Sequence, residues 1–68
     1  MFNENKHEIV KGLAQLLKLT RAGQDIADIT FEPLEEIATV IYLDGSTERV
    51  NVFCDSGIAM IRDILAVI

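Results

Sequence analysis

Residues 58–68 constrain this chain more than any other segment. They read Ile58-Ala59-Met60-Ile61-Arg62-Asp63-Ile64-Leu65-Ala66-Val67-Ile68, and nine of the eleven are apolar. Asp55 and Ser56, good N-cap residues, stand before Gly57 and this run. A helix that is apolar around its circumference must be covered on most sides. The sheet of so short a chain covers only one of them. The chain has 68 residues and 50% of them are hydrophobic. A domain of about 60 residues buries only roughly 60% of the surface its unfolded chain exposes. Either apolar surface stays in water, or a second chain covers it.

The first periodic segment runs from residue 5 to residue 22. Ile9, Val10, Leu13, Leu16, Leu17 and Thr20 recur at helical spacing, with Glu8, Lys11, Gln15 and Lys18 opposite. Asn5 followed by Glu8 predicts a capping box, and Asn3 is a rival cap. Gly23 suits a left-handed C-cap, with Arg21 near the negative helix end. Gly12 lies inside the helix, where glycine costs up to about 1 kcal/mol relative to Ala. It predicts a close approach of another backbone, in the core or between subunits.

Asp28-Ile29-Thr30-Phe31-Glu32 alternates as a half-buried strand, and Pro33 ends it. Ile37 to Leu43 is a β-branched and aromatic strand, and Thr47 to Cys54 returns after the Asp44-Gly45 turn. A two-residue loop pairs Leu43 with Ser46, Ile41 with Glu48, Thr39 with Val50 and Ile37 with Val52. A three-residue loop shifts the register by one and pairs Ile37 with Asn51 and Ile41 with Thr47. The first register separates apolar from polar residues better, so it is the expected one. It places Ile37, Ile41, Val50 and Val52 inward and leaves Ala38, Val40, Tyr42 and Phe53 on the second face. Residues 1–68 are thus expected to form a single small α+β domain. Its order is α-β-β-β-α, a three-stranded antiparallel meander with two helices packed on one face.

Several chemistries are excluded by counting. One cysteine allows neither an internal disulfide nor a Cys-rich zinc site, and one histidine allows no His cluster. No cofactor or metal site is expected. No apolar run reaches the length of an ordinary membrane span. Met1-Phe2-Asn3-Glu4-Asn5-Lys6 lacks the basic-then-apolar pattern of a signal peptide. A soluble, cytoplasmic protein with no membrane contact is the expectation.

The net charge is −5, and it is unevenly spread. Residues 1–23 hold four basic and two acidic side chains; residues 24–55 hold one basic and eight acidic, a net −7. Residues 56–68 are neutral, because Arg62 cancels Asp63. Nucleic-acid affinity comes largely from Lys and Arg on phosphates, so the acidic middle segment disfavours such a partner. Lys11, Lys18 and Arg21 are the cations left to support one. The acidic face keeps the protein soluble.

Four groups of residues could carry chemistry. Cys54-Asp55-Ser56-Gly57 places Asp-Ser-Gly as it stands around the nucleophile of trypsin-like proteases. Ile58 stands where that family has a second Gly, and the family's domain is several times longer. An N-cap with a flexible first turn is the simpler reading. The amides there could also hold an anion, against which Asp55 argues. Cys54 ends an apolar strand and is expected to be buried, although its place before a helix could activate a thiol. His7 is expected to be exposed in the first helical turn, with no partner for general-base work. Glu32, Glu35 and Glu36, or Asp25 and Asp28, could gather a cation, but no calcium-loop spacing is present. They also serve as charged strand edges that discourage aggregation.

The order and length of the elements are similar to the double-stranded-RNA-binding domain. That family meets phosphates with a Lys-rich cluster at the start of its last helix. The matching positions here read Asp55-Ser56-Gly57-Ile58-Ala59-Met60, so the resemblance is one of topology and its function does not transfer. The runs from Leu16 to Ile26 and from Cys54 to Ile64 look like short uncharacterised proteins of Gram-positive bacteria and their prophages. That resemblance covers about a third of the chain and implies an accessory protein with no assigned activity.

The expectation is therefore a non-enzymatic homodimer that binds another protein through its acidic surface. The apolar stripe Ile58, Ile61, Leu65 and Ile68, with Met60, Ile64 and Val67 beside it, would supply core on one side and interface on the other. The expected interface residues are Met60, Ile61, Ile64, Leu65, Val67 and Ile68, with Val40 and Tyr42 from the second sheet face.

Overall fold

The protein is represented by a computed structural model that describes residues 5–68. The rival cap Asn3 lies outside the described residues. The element order is α1 (Lys6–Leu17), β1 (Ile26–Glu32), β2 (Ile37–Tyr42), β3 (Thr47–Asn51) and α2 (Gly57–Val67). The strands form one antiparallel meander in the order β1-β2-β3. Helix α1 packs on β1, and α2 packs on β3 and α1. The α+β class and the α-β-β-β-α order are those read from the sequence.

Asn5 caps α1, its Oδ1 accepting the Glu8 amide at 3.1 Å. Val10 and Ala14 are buried one turn apart, with Ile9, Leu13 and Leu17 packed beside them. The helix stops at Leu17, five residues before the expected end. The Thr20 amide and hydroxyl both donate to the Leu17 carbonyl, at 2.9 and 2.7 Å, and Thr20 Oγ1 accepts the Gly23 amide at 3.0 Å. A threonine that bonds nearby backbone offers the chain an alternative to further helix. Gly23 is not the left-handed cap expected of it; Gly45 alone among the described glycines has that positive φ. It is needed for another reason: a Cβ there would drive into the Leu17 carbonyl. Gly12 meets no close backbone within the chain, since a Cβ there would find nothing within 4 Å.

Strand β1 starts before Asp28, and its register with β2 shifts between Ile26 and Asp28. Such a bulge inserts an extra residue, here Ala27. It resets the alternation, so Ile26 and Ile29 both point inward although three positions apart. Ile26 pairs Tyr42, Ile29 pairs Val40 and Phe31 pairs Ala38. Cross-strand partners share a face, so β1 assigns Ala38 and Val40 to the core.

That assignment overturns the expected hairpin register. Ile37 pairs Asn51, Ala38 pairs Val50 and Ile41 pairs Thr47, the three-residue-loop arrangement. Residues 43–45 form the loop: the Gly45 amide donates to the Tyr42 carbonyl at 3.0 Å and the Tyr42 amide to the Ser46 carbonyl at 2.9 Å. Gly45 has φ +89°, which suits the left-handed position of a three-residue hairpin. Ile37 and Ile41 therefore lie on the face away from the core, and both are half-buried. Ala38, Val40, Val50 and Val52 are buried beneath the helices. Strand β3 ends at Asn51, earlier than expected. The Asn51 side chain takes the Phe53 amide at 2.9 Å, the Asp55 amide turns back to the Val52 carbonyl at 3.0 Å, and Cys54 adopts φ +66°.

Ser56 caps α2, its Oγ accepting the Ala59 amide at 3.1 Å. Met60 and Ile64 are fully buried and Ile68 packs against the same core. Only that stripe of the apolar helix is covered by the chain itself.

Candidate functional site

The eight expected interface residues divide between core and surface. Met60, Ile64 and Val40 are 0% exposed within one chain and belong to its own core. They are removed from the candidate surface, because β1 and both helices already cover them. Ile61, Ile68 and Tyr42 are half-buried, while Leu65 and Val67 are exposed. The outward stripe gains Ile58, 62% exposed, and Phe53, 63% exposed, stands just before the helix. Apolar composition had marked the helix, but only packing separates its two sides. Leu16, Leu19, Leu34 and Leu43 are also exposed; Leu16 and Leu43 belong to helical and strand patterns that read as core, while Leu19 and Leu34 lie in turns.

A polar junction sits where α1, the β1–β2 turn and the start of α2 meet. Lys6 Nζ lies 2.7 Å from Glu36 Oε1, donates to the Val52 carbonyl at 3.3 Å and stands 6.0 Å from the Phe31 ring centre. Glu36 itself has φ +53°. Asp55 Oδ2 is shut away from solvent without a hydrogen-bond partner. The Asp63 carboxyl, which can take up a hydrogen bond once a proton lies between the two, together with burial and the Asp63 charge, pushes the Asp55 carboxyl above its ordinary value; Lys6 opposes this. The two carboxyls can share a proton there.

This has a consequence for stability. The unfolded Asp55 titrates like a free Asp, at about 3.9, and the folded one keeps its proton to higher pH. Within that window the folded state binds more protons, so stability falls as pH rises through it. Asp55→Asn supplies a neutral donor and is expected to flatten the fall. Melting temperatures of both proteins from pH 3.5 to neutrality, a range set around the roughly 3.9 of a free Asp, provide the check. Parallel curves would rule out the shared proton.

The other singled-out residues serve local structure. Ser56 Oγ is engaged as a cap, and Cys54 is exposed, where the strand pattern had put it inside. His7 is exposed on α1, as expected. Glu32 accepts the Leu34 and Glu35 amides in the turn, and Glu36 pairs Lys6. Asp28 lies 3.2 Å from Lys11. Burial pushes the Asp28 carboxyl up, but bonds from Lys11 and the Ile29 amide, with the Lys11 and Lys18 charges, hold it below the ordinary value. One of the three cations considered for phosphate contact is thus already paired. Among the described residues no three His, Cys, Asp or Glu side chains gather as a metal-holding group. No helix among them is long and apolar enough to cross a membrane.

At the opposite end of the sheet lies a cleft of about 440 Å³, lined by Asp25, Tyr42, Leu43, Asp44 and Ser46. The Leu43 amide donates to the Asp25 carbonyl at 2.8 Å, which ties the entry to β1 against the hairpin. Asp44 Oδ1 accepts the Ser46 hydroxyl at 2.6 Å and the Ser46 amide at 2.9 Å. Those two bonds hold the Asp44 carboxyl below its ordinary value. No family model, curated protein or solved structure matches this chain.

Proposed function

We propose that the protein is a non-enzymatic homodimeric interaction module, an accessory protein of bacterial or phage type. The observation that carries this reading is one flank of α2, where Ile58 and Leu65, two turns apart on the same side, remain 62 and 47% exposed with half-buried Ile61 beside them. Apolar residues in a continuous patch mark an interaction surface, whereas scattered ones do not. Charge favours a second copy as the occupant. The chain carries −5, and residues 56–68 are neutral. Two copies repel each other through most of their surface, but not through this helix. An antiparallel pair of α2 helices about a two-fold axis sets Ile58 of one protomer opposite Leu65 of its partner. The acidic surface outside that contact then meets another protein.

Sedimentation velocity at micromolar concentration tests the reading. The wild-type chain is expected to sediment as a dimer. The double variant Ile58→Glu, Leu65→Glu is expected to sediment as a folded monomer, because neither side chain is part of the buried core. A wild-type chain that stays a soluble monomer would sink the proposal.

A further inference from the structure

We infer that the cleft at the hairpin end of the sheet is a docking site for an arginine side chain of a partner protein. This rests on the reading of the chain as an interaction module, and it names the chemistry that its acidic surface recognises. The cleft is a concavity of about 440 Å³, within the roughly 300–1,000 Å³ of ordinary ligand sites. Two acidic residues, Asp25 and Asp44, are among those that line it, and no Lys or Arg is. Tyr42 and Leu43 add apolar wall, and Leu43 is 71% exposed with nothing of its own chain over it.

The hairpin builds this arrangement from its backbone. The bond between the Leu43 amide and the Asp25 carbonyl brings the two acidic residues to one edge. Both Ser46 bonds fall on Asp44 Oδ1, which orients the carboxylate, and neither of them engages Oδ2. The same bonds keep Asp44 ionised into acid. A guanidinium fits these surroundings better than an ammonium does. Its planar fork donates to more than one carboxylate oxygen, and its face lies against an aromatic ring. A calcium ion would want six to eight oxygens, more than two carboxylates provide.

The test is a titration of the ¹⁵N-labelled full chain with tetra-arginine amide, tetra-lysine amide and calcium chloride in low salt. The arginine peptide is expected to shift the amides of Asp25 and of residues 42–46, and to bind more tightly than the lysine peptide. The variant Asp25→Asn, Asp44→Asn is expected to weaken it on the order of tenfold. Both substituted side chains are outside the core, and an unchanged far-ultraviolet spectrum verifies the fold. Three results would overturn the inference: no shifts, shifts spread equally over Glu8, Glu35 and Glu48, or a stronger response to calcium than to the peptide. The oligomeric state of the wild-type chain separates the two readings. If the wild-type chain is monomeric, the dimer fails while the titration still decides the cleft.

Discussion

Ile64→Ala is expected to destabilise the protein by about 2–5 kcal/mol, the range for truncating a buried aliphatic side chain. Ile64 is 0% exposed and lies one turn from Met60 in the centre of the core. A small domain holds roughly 0.05–0.15 kcal/mol of stability per residue, so the loss is a large fraction of the total. Leu65 is its neighbour in sequence but is 47% exposed. Leu65→Ala is expected to alter the folding of a single chain by only about 0.5 kcal/mol. Urea unfolding of both variants, at a concentration low enough to hold the chain monomeric, measures the contrast. Equal losses would mean that the inward and outward sides of α2 are assigned wrongly.

Gly23→Ala and Gly12→Ala are expected to act in opposite directions. At Gly23 a Cβ would meet the Leu17 carbonyl, and backbone cannot swing aside as a side chain can. The turn through residues 18–23 must shift, at a cost of about 1–3 kcal/mol by analogy with other overpacked sites. At Gly12 a Cβ enters open space on an exposed helix, and Ala is better there by about 1 kcal/mol. Thermal melts of the two variants should bracket the wild type. A stabilised Gly23→Ala protein would contradict the close turn. A destabilised Gly12→Ala protein would point to a backbone of a second copy against that position.

The differing fates of these glycines illustrate what a one-dimensional reading misses. Gly23 reads as a left-handed helix cap and Gly12 as a close approach of another backbone. Gly23 ends no helix by a left-handed cap, because Thr20 had already diverted the backbone three residues earlier. Gly12 was read as a close contact, yet the chain brings nothing near it. Local composition reports a lowered helix propensity at such positions, not the tertiary neighbour responsible for it.

The hairpin teaches the same lesson at larger scale. Considered alone, β2 and β3 segregate their apolar residues best with a two-residue loop. The folded hairpin must also satisfy β1, where the bulge at Ala27 brings Ile26 and Ile29 to one side. Pairing Ile29 with Val40 and Phe31 with Ala38 outweighs the polarity of two strands, and Ile37 and Ile41 turn outward. The cleft beside Asp25 follows from that register. Asp25 and Asp44 lie far apart in sequence, and the sequence pattern held no sign that they share a wall.

Sequence alone determined the number, order and type of elements, Asn5 and Ser56 as candidate caps, a hairpin between β2 and β3 and the apolar excess of residues 58–68. Each is a local property, written in periodicity, capping chemistry or backbone freedom. The tertiary structure decided the strand register, the early end of α1 and which stripe of α2 is core. Those choices depend on packing between distant segments, because a side chain is buried only when another element covers it.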